Sequence, residues 1–152
     1  LFPYTTLFRS IKFVNECKDE NPDLFNQVFE GPSEKVYSAL LMCNVSNAIM
    51  SGGELKDHVF GILNYLFNTG FLEGNSKRYL CYLMAMTYIK GMGVPQNYQY
   101  ALEYLEHCVE CESNSDSVAL VRFNDDGILE KYTTSIGPIV NSAKQLIAYL
   151  RK

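Results

Sequence analysis

The sequence predicts an all-α chain built as an α-α superhelix, a solenoid of antiparallel helical pairs, on three observations. Apolar residues recur at three- and four-residue steps through stretches that hold no proline or glycine. Tight breaks rich in glycine and proline separate those stretches, the clearest being Gly91-Met92-Gly93-Val94-Pro95-Gln96-Asn97. Two helix-break-helix units also align at an offset of 40 residues, Gly53 on Gly93, within the roughly 34 to 47 residues of helical-repeat stacks.

With 152 residues and 47% hydrophobic content the chain can bury one core. Lys+Arg number 13 against 17 Asp+Glu, a formal charge of −4, and no basic run gathers along the chain. Nucleic acid and anionic membrane surfaces are therefore poor partners. No apolar run reaches the about 18 residues of a bilayer span. Five cysteines at irregular spacing, Cys17, Cys43, Cys81, Cys108 and Cys111, read as reduced, small apolar residues. Nothing assigns a compartment.

Residues 1–10, LFPYTTLFRS, look like a translated sequencing adapter and are expected to lie outside the native fold; the native N-terminus is then expected to be missing. Residues 11–152 form the expected single domain. Ile11, Phe13 and Val14 read as the end of a truncated element. Asn21-Pro22-Asp23 supplies a cap, a first-turn proline and an acidic residue for a short helix through Phe29, stopped by Gly31-Pro32.

A degenerate repeat is expected at 33–70. Ser33 caps a helix whose apolar residues are Val36, Leu40, Cys43 and Ile49, ended by Gly52-Gly53. Asp57 caps a second helix, with Val59, Phe60, Leu63, Leu66 and Phe67 on one face. At the 40-residue offset Leu40 meets Leu80, Asp57 meets Asn97 and Gly61 meets Ala101.

A clearer repeat is expected at 76–112. Ser76 caps a first helix over 79–90, which is apolar or aromatic nearly all round and so must be covered on several sides or present an adhesive face. Gly91 or Gly93 ends it in the left-handed conformation, Pro95 fixes φ ahead of the next helix, and Asn97 caps that helix. The partner helix over 98–110 carries Ala101, Leu102, Leu105 and Val109 on its apolar stripe, with Gln99, Glu103 and Glu106 in solvent.

The pattern changes after Asp116. Residues 118–123 are rich in β-formers, Asn124-Asp125-Asp126-Gly127 is turn chemistry, and 128–134 can pair back, so a short β-hairpin at 118–134 competes with a continued helix. Pro138 then opens a closing amphipathic helix, with Ile139, Ala143, Leu146, Ile147 and Leu150 on one face and Lys144 and Arg151 outward.

At Met84-Ala85-x-x-Tyr88-x-x-Gly91-x-Gly93-Val94-x-x-Asn97-x-x-x-Ala101-x-x-Tyr104 the chain resembles the Sel-one-like repeat, a relative of the tetratricopeptide repeat. The likeness is specific over 79–110 and loose over 38–69. It departs from the family pattern where Met84 stands for leucine, Ala85 for glycine, Asn97 for aspartate, Tyr100 for lysine and Cys108-Val109 for an alanine pair. Ala85 and Ala101 keep the small size that close helix contact needs. The resemblance implies a non-catalytic scaffold or adaptor, without cofactor, holding a protein or peptide partner on a concave face lined by the first helix of each pair. Carried onto this sequence, it places Cys81, Met84 and Tyr88 in the packing and Tyr79, Tyr82, Met86, Ile89 and Lys90 toward the groove, with Gly91, Gly93 and Asn97 as the structural joint. Tyrosines bring large area and a polar handle, suited to peptide recognition. Ordinary burial by neighbouring helices is the competing reading.

Other chemistry has less support. His107-Cys108-x-x-Cys111, with Cys81, is the alternative: a thiol- or metal-dependent protein, though no second close ligand pair completes a structural zinc site. The family's inter-helix disulfides use a longer spacing than Cys108 to Cys111. Gly91-x-Gly93 lacks the third glycine, preceding strand and Lys-Ser/Thr of a phosphate loop. Asp57-His58 lacks a serine in a nucleophile elbow, and Asn44-Val45-Ser46, a glycosylation pattern, falls inside a predicted helix.

Overall fold

The structure, a computed structural model, describes residues 33–52, 56–111, 113–123, 125–126 and 129–152, together with Asp19. The adapter-like segment and the helix expected after Asn21-Pro22-Asp23 fall outside these residues. The described chain is mostly helical, with five α-helices and a two-stranded antiparallel sheet.

Helix α1, Ser33–Ser51, runs without proline or glycine and stops where Gly52 takes φ +75° and its amide bonds the Ala48 carbonyl at 2.7 Å. It starts at Ser33, three residues ahead of the expected apolar start. Its buried stripe is Leu41, Met42, Val45, Ala48 and Ile49, so Cys43 sits at the margin of the buried face, half-buried. After a 3-10 turn, Lys56–His58, helix α2 spans Val59–Thr69 and ends on left-handed Gly70. Asp57 does not cap it: Asp57 lies within the 3-10 turn, and no side chain caps α2. A 3-10 turn leading into a helix supplies short-range bonds at the very place where a capping side chain would otherwise be needed. Val59, Ile62, Leu63 and Leu66 are buried, with Phe60 and Phe67 packed beside them.

Helix α3, Asn75–Lys90, begins four residues before the expected Tyr79, and Ser76 lies inside it instead of capping it. Gly74 precedes the helix at φ 58°, ψ −131°, without a side-chain cap. Asn75 is occupied elsewhere, its Nδ2 donating to the carbonyls of Ser115 at 2.8 Å and Ser117 at 2.7 Å. Leu80, Cys81, Leu83, Met84, Ala85, Thr87 and Tyr88 are all buried, so α3 is the helix covered on most sides, as its near-continuous apolar run requires. Helix α4, Tyr98–Glu110, buries Ala101, Leu105 and Cys108 and leaves Gln99 and Glu103 exposed. Helices α3 and α4 form the most extensive helix pair, and it is antiparallel: Arg78 near the start of α3 meets Cys108 near the end of α4, while Tyr88 meets Tyr100 at the other end.

The hairpin is present. Strand β1, Ser117–Phe123, pairs with β2, Leu129–Ser135, in a register from Ser117↔Ser135 to Phe123↔Leu129. Val118 and Leu120 join the core, and β1 lies against α1 and α3. Its base is closed by the Ile136 amide on the Asp116 carbonyl at 2.8 Å. Helix α5, Gly137–Leu150, carries Pro138 in its first turn, buries Ala143 and packs mainly on α4, where Arg151 pairs with Glu106. One cluster of buried apolar side chains joins all five helices and the hairpin. No helix among the described residues is long and apolar enough to cross a membrane.

Candidate functional site

The joint between α3 and α4 is built from its glycines. Gly91 takes φ +67° as the left-handed end of α3, and the Met92 amide bonds the Thr87 carbonyl at 3.1 Å. Gly93 takes φ +75°, and a Cβ there would lie 2.7 Å from the Asp57 carbonyl oxygen, so only glycine fits this approach to the 3-10 turn before α2. Asn97 caps α4 as expected, its Oδ1 accepting the Tyr100 amide at 3.0 Å, while its own amide bonds the Tyr88 carbonyl at 3.0 Å. Gln96 donates to the Ile89 carbonyl at 2.7 Å. The loop is thereby tied to α3, α4 and the turn before α2.

The residues carried over as groove residues lie on the side of α3 that meets α1 and the hairpin. The Tyr79 hydroxyl is 2.6 Å from Ser46 Oγ, and Lys90 Nζ donates to the Ile49 carbonyl at 2.9 Å. Tyr82, Met86 and Ile89 are half-buried against the core. Burial pushes the Tyr79 phenol above its ordinary value, against the Ser46 hydrogen bond, and Tyr132, Cys43 and Tyr82 push it further the same way. Tyr132 on β2 therefore belongs to this side, with the Arg122 guanidinium 4.2 Å over its ring and bonded to Glu130 at 2.7 Å. Cys81, Met84 and Tyr88 are buried. Sequence reasoning missed Ser46 and Tyr132. Ser46 had a signal, a polar residue beside the buried Val45, and Tyr132 had one only in the period-two alternation of the hairpin.

A seam of aromatic rings joins α2, α3 and α4. Tyr88 is at its centre, with ring centroids 5.6 Å from Phe60, 5.4 Å from Tyr100 and 5.9 Å from Tyr104, and Phe67 lies 5.5 Å from Tyr104. Such edge and offset arrangements add to the burial of the rings themselves.

Below that seam, toward the start of α3 and the end of α4, is a cavity of about 490 Å³. Phe67 and Tyr104 line it together with Lys77, Arg78, Cys81, His107, Glu110 and Cys111, so three of the four residues of the thiol reading converge there. Cys108 lies behind the wall, fully buried. Burial pushes the thiols of Cys81 and Cys108 up to about 11, opposed in part by Lys77 at the first and Arg78 at the second. Arg78 is itself buried, donating through Nε to the Cys108 carbonyl at 2.8 Å and through a second nitrogen to that of Val109 at 3.4 Å. Among the described residues no three His, Cys, Asp or Glu side chains are placed to hold a metal ion, so the metal form of the thiol reading has no geometry there.

Comparison with protein-family models, with curated proteins and with solved structures finds no match.

Proposed function

We propose that this chain is a non-catalytic scaffold or adaptor of the Sel-one-like repeat type, holding a protein or peptide partner on the concave face of a short helical solenoid. The observation that carries the reading is the relation of α1 to α3. Ser46 meets Tyr79 and Ile49 meets Lys90, so the latter half of α1 packs against α3, and contact between first helices is what successive pairs of a helical stack require. The antiparallel α3–α4 pair with its glycine joint supports the same arrangement.

On this reading the binding face is the α1–α3 side, bounded by the hairpin. Tyr82, Met86 and Ile89 supply adaptable apolar surface, Lys90 a cation, and Met50, 78% exposed at the end of α1, an extension of the apolar strip. An extended peptide with apolar anchors and an acidic residue for Lys90 fits it. The test is selection of peptides from a displayed random library on the full chain. Selected peptides should bind at least about tenfold more weakly to Tyr82→Ala or Met86→Ala, the loss of one anchor, measured at a temperature where both variants remain folded. Peptides indifferent to Tyr82, Met86 and Lys90 would overturn the proposal.

A further inference from the structure

We propose that the outer edge of β2 is a strand-addition site, at which an extended segment of the partner pairs with the hairpin as a third strand laid across α3. Resting on the scaffold reading, the site is where the partner's backbone is held, on the same side as Tyr82 and Met86. The Ile136 amide bonds the Asp116 carbonyl, one step past Ser117↔Ser135 in the register, so that pair is a hydrogen-bonded one. Antiparallel ladders alternate. Val118↔Thr134, Leu120↔Tyr132 and Arg122↔Glu130 are therefore bonded to each other in the same way, while the amides and carbonyls of Ser117 and Ala119 on β1, and of Lys131, Thr133 and Ser135 on β2, point outward. On β1 that row runs into α3, where the Ser117 carbonyl accepts from Asn75 at 2.7 Å. On β2 it runs into solvent: Lys131, Thr133 and Ser135 are exposed, and among the described residues nothing bonds the outward backbone of Lys131 or Thr133. Donors and acceptors that repeat at every second residue, about 6.8 Å apart, match another extended backbone.

Position selects the occupant. Val118, Leu120 and Tyr132 share one face of the hairpin and pack toward the helices. Along α3, Asn75 meets the outer edge of β1, and Tyr79, about one turn on, is within electrostatic reach of Tyr132 on β2. A helical turn of about 5.4 Å nearly matches the strand spacing of about 4.8 Å. The next strand position therefore falls over Tyr82, with Met86 a turn beyond, and alternate side chains of an added strand point onto that strip. A second copy pairing antiparallel through the same edge would bring its own helices to the helix side of the sheet, where α3 already runs on to Lys90. A single extended segment brings none. A third strand also enlarges a sheet that two strands leave marginal.

The experiment takes peptides selected from the displayed library on the full chain and remakes each with a single N-methyl group at successive positions. Affinity should fall about three- to tenfold, the loss of one hydrogen bond, at every second central position and hold at those between. On the chain, Thr133→Pro removes one outward amide while leaving the hairpin's own ladder its donors, so it should weaken the same peptides by a similar factor, whereas Thr133→Val should not. The N-methyl series is read on the unaltered chain and stands whether or not Thr133→Pro folds. Peptides that lose affinity on Tyr82→Ala yet show no alternation along their own backbone would overturn strand addition and leave the scaffold reading standing. Peptides indifferent to Tyr82, Met86 and Lys90, or failure to select any peptide, would overturn both. A dimer of the chain that Thr133→Pro dissociates, in place of peptide binding, would also overturn strand addition by a partner.

Discussion

Gly93 and Asp57 are in backbone contact across two helical pairs: a Cβ on Gly93 would stand 2.7 Å from the Asp57 carbonyl oxygen and 3.2 Å from its carbon. Neither atom can give way easily, because both belong to the 3-10 turn that introduces α2. The joint of the second pair is thus seated on the entry to the second helix of the first.

Substitution at the two joint glycines should therefore separate two effects. Gly91→Ala meets only the left-handed φ of +67° and ordinary contact at 3.4 Å from the Gln96 amide, and should lose about 1 kcal/mol. Gly93→Val adds the clash with Asp57 to the same backbone penalty and should lose about 3 kcal/mol or more. Urea unfolding of both variants measures the difference. Equal losses would mean that the contact with Asp57 does not hold in solution.

The Tyr79–Ser46 hydrogen bond should be visible as a coupling between α1 and α3. Tyr79→Phe and Ser46→Ala each remove one side of the 2.6 Å contact, and a double-mutant cycle should give a coupling of about 0.5–1.5 kcal/mol. A coupling near zero would mean that the α1 and α3 faces do not meet as described.

Stability should fall in mild alkali. Burial raises the folded-state thiols of Cys81 and Cys108 from 9.0 to about 11. The unfolded chain then releases these protons first, so their stabilising contribution is complete below about pH 9 and is lost as pH rises toward 11. Each thiol should account for a loss of order 2 kcal/mol across that window. The raised phenols of Tyr79, Tyr88, Tyr104 and Tyr132 act in the same direction from pH 10 upward. Urea midpoints at pH 8 and pH 10 for the parent chain and for Cys81→Ala/Cys108→Ala test this: the double variant should show the shallower fall, and parallel falls would count against the burial.

Much of the α3–α4 pair was legible because its signals are local. Gly91 and Asn97 act through their own backbone and the next turn, and the buried set Ala101, Leu105 and Cys108 falls at helical steps. The hairpin was legible for the same reason, since 118–123 and the turn after it carry their own chemistry. What the sequence misplaced was decided at long range. Asp57 looks like a cap by position, yet the approach of Gly93 and the 3-10 turn give that segment another geometry. Asn75 gives no sign that its amide will serve the hairpin 40 residues away. The convergence of Cys81 with His107 and Cys111 required the antiparallel register of two helices, which no spacing along the chain encodes.

Arg78 gives the helix pair a second closure. At one end α3 and α4 are joined through the chain by residues 91–97; at the other, a buried guanidinium holds the last carbonyls of α4 to the first turn of α3. Helix ends ordinarily fray and exchange their amide protons early. With both ends fastened, α3 and α4 should open together, so their amides should exchange as one slow, cooperative group while the end of α5 exchanges ahead of them.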